Sequence, residues 1–99
     1  MTSYLTYLEC SNCANSYPAD QEQHLCTACG GILLARYDLS GIRAEVPRQA
    51  IESRSWGEGL WRYAELLPVS SREARVTLGE GATPLLALEG LSEELDVEL

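Results

Sequence analysis

The hydrophobic positions of this chain come in short pieces. Tyr4-Leu5-Thr6-Tyr7-Leu8-Glu9 is an aromatic and β-branched run that reads as a strand, and residues 32–38, Ile-Leu-Leu-Ala-Arg-Tyr-Asp, read as a second strand returning beside it. Leu39-Ser40-Gly41 ends that return, and Arg36 and Asp38 read as surface charge. Residues 15–23 are polar, contain Pro18 and Asp20, and read as a loop. Over residues 42–55 the pattern weakens, with Arg43, Glu45, Arg48, Glu52 and Arg54 set among Val46, Ala50 and Ile51. That suits a linker, or a short helix beginning at Pro47.

Helical spacing appears next. Ser55-Trp56-Gly57-Glu58 has the spacing of a capping box, Leu60, Trp61, Ala64 and Leu67 recur at helical intervals, and Pro68 stops the run. A short amphipathic helix over residues 59–66 is the expectation. Trp61, Tyr63 and Leu66 on it are read as packing before a ligand surface. Beyond it, residues 70–75 are polar, residues 76–78 read as a short strand, and residues 79–86 read as a glycine-punctuated turn feeding an extended apolar stretch. Leu88-Glu89-Gly90 turns the chain, and Ser92 caps a last helical turn with Glu93 and Glu94 near its positive end. Leu91, Leu95, Val97 and Leu99 then form an apolar patch with little left to cover it, so the tail reads as the start of an unfinished domain.

The strongest chemical signal lies in residues 9–31. Cys10, Cys13, Cys26 and Cys29 form two CxxC pairs separated by twelve residues. Each CxxC turn brings two sulfurs to one tetrahedral ion, and two turns facing each other close an all-thiolate structural site. Gly30 and Gly31 follow the second pair, where positive φ is cheap for glycine. The matching place after the first pair holds Ala14, a poorer fit that Asn15 partly rescues. Two disulfides would need an oxidising compartment, and Met1-Thr2-Ser3-Tyr4-Leu5 has neither a basic nor an apolar leader region, so a cytoplasmic setting is expected. A redox CxxC sits singly at a helix start, which this pattern lacks. Zn2+ is the default ion, while iron suits the same four thiolates. His24, near Cys26, reads as a solvated strand-edge histidine, because four cysteines already fill a tetrahedron.

Composition narrows the partners. The 99 residues carry a formal charge of -8, and all seven basic residues are arginine, with no lysine. A ribbon that grips phosphate backbone has a basic face, so nucleic acid is not expected as a partner. No apolar run is long enough to span a membrane.

The order YLECSNC, CTACGGILLARYD, LWRYAELLP and VTLGEGATPLL resembles the amino-terminal region of threonine synthases that begin with a cysteine-rich ribbon. The resemblance runs from Tyr7 to about Leu95. It implies a body of the tryptophan synthase β-like fold type, which binds pyridoxal phosphate and converts O-phosphohomoserine and water to threonine and phosphate. Relatives such as cysteate synthase share this front end. By the same resemblance the block at residues 79–85 enters the small domain near the substrate, with Thr83 placed to donate to a substrate or cofactor oxygen and Glu80 to orient it; the equal alternative is that Gly79, Gly81 and Pro84 simply shape a turn with Glu80 solvated. Pyridoxal chemistry needs a Schiff-base lysine, and this chain has none.

The expectation is a small α+β chain. A rubredoxin-like zinc ribbon of antiparallel strands with two CxxC knuckles occupies residues 1–41, a linker and short amphipathic helix residues 42–69, and the incomplete start of a catalytic body's small domain residues 70–99. It is not an enzyme alone, and it self-associates or docks on the remainder of that α/β body. The alternatives are a stand-alone interaction module docking through the Trp61 helix, and a rubredoxin-like iron electron carrier.

Overall fold

The computed structural model describes residues 2–99. The aromatic and β-branched run forms strand β1, Leu5–Cys10, as its composition predicts. It lies between β2, Ser16–Pro18, and β3, Leu33–Tyr37, in an antiparallel sheet of order β2-β1-β3. Leu8 faces Tyr17 on one side and Ala35 on the other, while Cys10 faces Leu33. β3 alternates in burial, Leu33, Ala35 and Tyr37 half-buried and Leu34 and Arg36 exposed, as expected of a strand with one covered face. β2 lies within the polar stretch that reads as loop, because a three-residue strand is too short to show a period.

Asp38 does more than carry surface charge. Its carboxylate accepts the Gly41 amide at 2.9 Å and caps helix α1, Leu39–Glu45, where the sequence reads only a strand ending. Arg36 reaches across the sheet to Glu9 at 3.1 Å. Helix α2, Arg48–Glu52, starts after Pro47, so of the two readings of this stretch the short helix holds and the linker does not.

The expected amphipathic helix over residues 59–66 is instead a run of 3-10 turns, Trp56–Leu66, broken at Gly59 and Tyr63. A tertiary contact overrides the helical period. Gly59 sits at φ +56° with the backbone of the Glu80 loop against it, and the Leu60 amide donates to the Glu80 carbonyl at 3.3 Å. A Cβ at Gly59 would lie 2.6 Å from that oxygen, and one at Gly81 2.9 Å from the Leu60 nitrogen. The capping contact at the start does form, with Ser55 Oγ accepting the Gly57 amide at 3.1 Å.

Residues 76–78 join no strand, which corrects the strand expected there: a strand exists only by pairing, and the sheet ends at β2 and β3. Residues 82–88 are irregular up to helix α3, Glu89–Leu95, so Leu88-Glu89-Gly90 opens a helix where a turn is expected. Ser92 is inside that helix and caps nothing. Its hydroxyl accepts the Leu99 amide at 3.0 Å, folding the last residues back.

Little of this is held by a conventional core. Among the described residues the buried apolar ones are Cys10, Cys26 and Ala64, accompanied by buried Arg62 and Glu65. The radius of gyration is 18.9 Å, against about 13 Å for a compact chain of this length. A polar clasp ties the elements instead. Arg54 grips Glu65 with two bonds of 2.5 and 2.8 Å and also donates to the Arg62 carbonyl, while Arg62 donates to the Ile51 carbonyl at 3.1 Å and stacks over Trp56 at 3.7 Å. The sheet joins this clasp at its open end: the Tyr4 amide donates to the Glu65 carbonyl at 3.0 Å, and Ser3 Oγ donates to that of Leu67.

The Arg54 guanidinium holds the Glu65 carboxyl below its ordinary value of 4.5. A depressed folded pKa gives stability that is complete above the unfolded value and is lost as acid carries the pH down through the folded one. Glu65→Ala, which strands the half-buried Arg54 guanidinium, is expected to lower unfolding stability by about 3 kcal/mol near neutral pH. In urea titrations the gap between the two forms should be full above pH 4.5 and narrow as the pH falls below it, through the depressed value; an equal gap at every pH would remove Glu65 ionisation as the cause.

Candidate metal centre

The two CxxC turns are built by one local unit used twice. In the first, the Cys10 amide donates to the Asn15 carbonyl at 2.9 Å and the Ala14 amide to the Cys10 carbonyl at 3.2 Å. In the second, the Cys26 amide donates to Gly31 at 2.9 Å and the Gly30 amide to Cys26 at 2.8 Å. The left-handed residue that tightens each turn is Ala14 at φ +64° in one and Gly30 at φ +74° in the other. Ala14 thus takes the left-handed conformation itself, and Asn15 does not relieve it.

These turns bring all four sulfurs within 4.8 Å of one another. Cys10 Sγ lies 3.4 Å from Cys29 Sγ, and Cys13 Sγ 3.5 Å from Cys26 Sγ. A tetrahedral ion with metal–sulfur bonds near 2.3 Å needs edges of about 3.8 Å, so the donors fit a thiophilic dication with small adjustments. Gly31 closes the back of the cluster, where a Cβ would stand 2.8 Å from Cys10 Sγ and 3.2 Å from Cys29 Sγ. Cys10 and Cys26 are buried and Cys13 and Cys29 exposed. His24 is exposed and lies outside the sulfur cluster.

The environment is polarised toward thiolate at the first cysteine of each pair. Amides of Cys13 and Asn12 point at Cys10 Sγ, at 3.5 and 3.4 Å, and draw its pKa down. The Tyr17 hydroxyl, 3.0 Å from Cys26 Sγ, together with the amides of Cys29 and Ala28, brings that thiol down to about 6 against the cost of burial. At Cys13 the Asn15 amide pulls the same way, but the Cys26, Cys10 and Cys29 sulfurs and burial outweigh it and push the thiol up to about 12. Four sulfurs this close share negative charge poorly, and a central dication relieves that repulsion.

Tyr17 is the residue that sequence reasoning missed. It is the one aromatic residue between the cysteine pairs, four positions after Cys13, where the second repeat has Leu33 four positions after Cys29. That break in the repeat was its signal.

Glu80 and Thr83 lie outside the sulfur cluster. The Glu80 carboxylate accepts the Leu78 amide at 2.7 Å and the Thr77 hydroxyl at 3.0 Å, closing its own turn, and its own amide and these two donors hold its pKa below the usual carboxylate value. Thr83 is exposed and makes no hydrogen bond with Glu80. Tyr63 and Leu66 are each 40% exposed, Trp61 is half-buried, and Arg75 stacks over the Trp61 ring at 5.2 Å.

No family model and no solved structure matches this chain. Among curated proteins it is 36% identical to a threonine synthase of Methanocaldococcus jannaschii over 89 residues, which is 90% of this chain and 21% of that protein. A threonine synthase of Methanosarcina acetivorans is 36% identical over 92 residues, 93% of this chain and 21% of that protein. One from Halalkalibacterium halodurans is 49% identical over 43 residues, covering 43% and 12%. The resemblance to threonine synthase carried by the motifs is therefore shown, and the chain spans about a fifth of the length of the relatives that match most of it.

Two substitutions separate backbone strain from sulfur packing. Gly31→Ala crowds Cys10 and Cys29 and should weaken Co2+ binding on the order of tenfold. Ala14→Gly releases a left-handed alanine and should leave that affinity unchanged while raising unfolding stability by about 0.5 kcal/mol, the relief of strain exceeding the added chain entropy. Competitive metal titration and urea unfolding read the two effects independently.

Proposed function

We propose that these residues form the amino-terminal, zinc-stapled module of a threonine synthase-like enzyme, in which Cys10, Cys13, Cys26 and Cys29 hold a structural Zn2+. The observation that carries this reading is the similarity to threonine synthases along nine-tenths of the chain. The sulfur cluster supports the metal half of it. When bound, the ion cross-links the two CxxC turns, and its binding free energy is largely folding free energy for a sheet with so little apolar burial.

The residues present do not fit pyridoxal phosphate: there is no lysine to form its Schiff base. Conversion of O-phosphohomoserine to threonine would belong to the rest of the enzyme. The contribution of this chain to that reaction is the loop at residues 79–86. Its Glu80 turn is rigidly closed on itself, and the exposed Thr83 hydroxyl beside it is available to a substrate oxygen. Leu78, Leu85 and Leu86, which are 98, 101 and 72% exposed, would pack against the catalytic body. No helix among the described residues is long and apolar enough to cross a membrane.

Native mass measurement with elemental analysis of the purified chain is expected to give one zinc per chain, with loss of sheet structure on chelation. Iron with a red colour would move the electron-carrier reading ahead, and two disulfides without metal would overturn the ribbon. In sedimentation the 99-residue chain alone should self-associate through its uncovered leucines. A clean monomer at high concentration would count against docking through this surface.

A further inference from the structure

The two CxxC turns share the pair of backbone bonds that closes each of them, and differ in the partner of the amide that follows the leading cysteine. In the first, the amide after the leading cysteine, that of Ser11, donates to the Ile32 carbonyl at 2.9 Å. In the second, the corresponding Thr27 amide donates at 3.0 Å to a side chain, the Tyr17 hydroxyl. A carbonyl can only accept. A phenol accepts and still has a proton to give.

That proton has two acceptors within reach, Cys26 Sγ at 3.0 Å and Thr27 Oγ1 at 3.2 Å. A metal-bound thiolate is the charged acceptor and carries no proton of its own, so the bond to sulfur is charge-assisted, while the Thr27 hydroxyl is free to donate back to the phenol. The ring is fixed for this task by β2, where Tyr17 pairs with Leu8. We propose that Tyr17 is a positioning residue for the metal centre: its hydroxyl orders the second CxxC turn through the Thr27 amide and donates to the Cys26 sulfur, drawing charge from that one ligand.

This gives a closed site an asymmetry that its four identical ligands do not have. Cys10 receives two amide donors, from Asn12 and Cys13. Cys26 receives the amides of Ala28 and Cys29 and the phenol besides. Outer partners of this kind orient a ligand and tune its basicity. The sulfur of Cys26 becomes the least electron-rich of the set and the most firmly oriented.

The inference rests on the zinc reading, and Co2+ substitution tests both separately. Tyr17→Phe keeps the ring and removes the hydroxyl. In the Co2+-loaded chain it is expected to shift the sulfur-to-cobalt charge-transfer band to lower energy and to weaken Co2+ affinity tenfold or more. An unchanged band overturns the proposal even if affinity falls, because a purely structural role would lower affinity without altering sulfur electronics. Should the variant fail to fold, the wild-type chain loaded with 113Cd decides the matter by NMR: a slowly exchanging Tyr17 hydroxyl proton coupled to the metal supports the bond, and a freely exchanging one rejects it. A wild-type chain that takes up no cobalt would sink the metal reading and this proposal together; normal uptake with an unaltered variant sinks only the latter.

Discussion

The structure depends on the convergence of four sulfurs on one point. Among the described residues the buried apolar ones are Cys10, Cys26 and Ala64, too few to fix the strands by hydrophobic packing. The cysteines supply that fixation locally, because each CxxC turn is closed by its own backbone bonds and the four sulfurs then lie within 4.8 Å of one another. Everything nearest the cluster is arranged around charge on sulfur: amides aimed at Cys10, a phenol at Cys26, and a glycine where any side chain would collide. In the proposed reading a dication balances that arrangement.

Beyond the sheet, cohesion passes from sulfur to guanidinium. Arg54 and Glu65 form a buried, doubly bonded pair, and Arg62 threads between Ile51 and Trp56. Such groups have directional demands that apolar packing lacks. They hold a thin, elongated chain in one arrangement where a small patch of leucines would permit several. The cost is desolvation, and it falls on Arg62, whose Nε is buried without a hydrogen-bond partner while its terminal nitrogens bond Ile51 and Tyr63.

The cysteine turns, β1 and β3 were legible in the sequence because their signals are local: residue spacing, β-branched runs and glycine after the second pair. What could not be read depends on distant segments. The period of Leu60, Trp61 and Ala64 is helical, yet Gly59 meets the Glu80 loop and breaks it, a contact between positions some twenty residues apart. The functions of Asp38 and Arg36 depended on which partners folding would bring near, and β2 was too short to show a pattern. Tyr17 was visible only as a departure from internal symmetry, which is a weaker sign than a motif but a physical one.

The sheet is held at one end and carries its sulfurs at the other. Tyr4 and Ser3, just before β1, are anchored to Glu65 and Leu67, whereas Cys10 closes the strand six steps beyond Tyr4, about 20 Å away. Mechanically this is a cantilever. A tilt of about ten degrees at the anchored end would sweep the cysteine tip through roughly 3 Å over that length, so the orientation of the sheet depends on a few hydrogen bonds far from the sulfur cluster it carries.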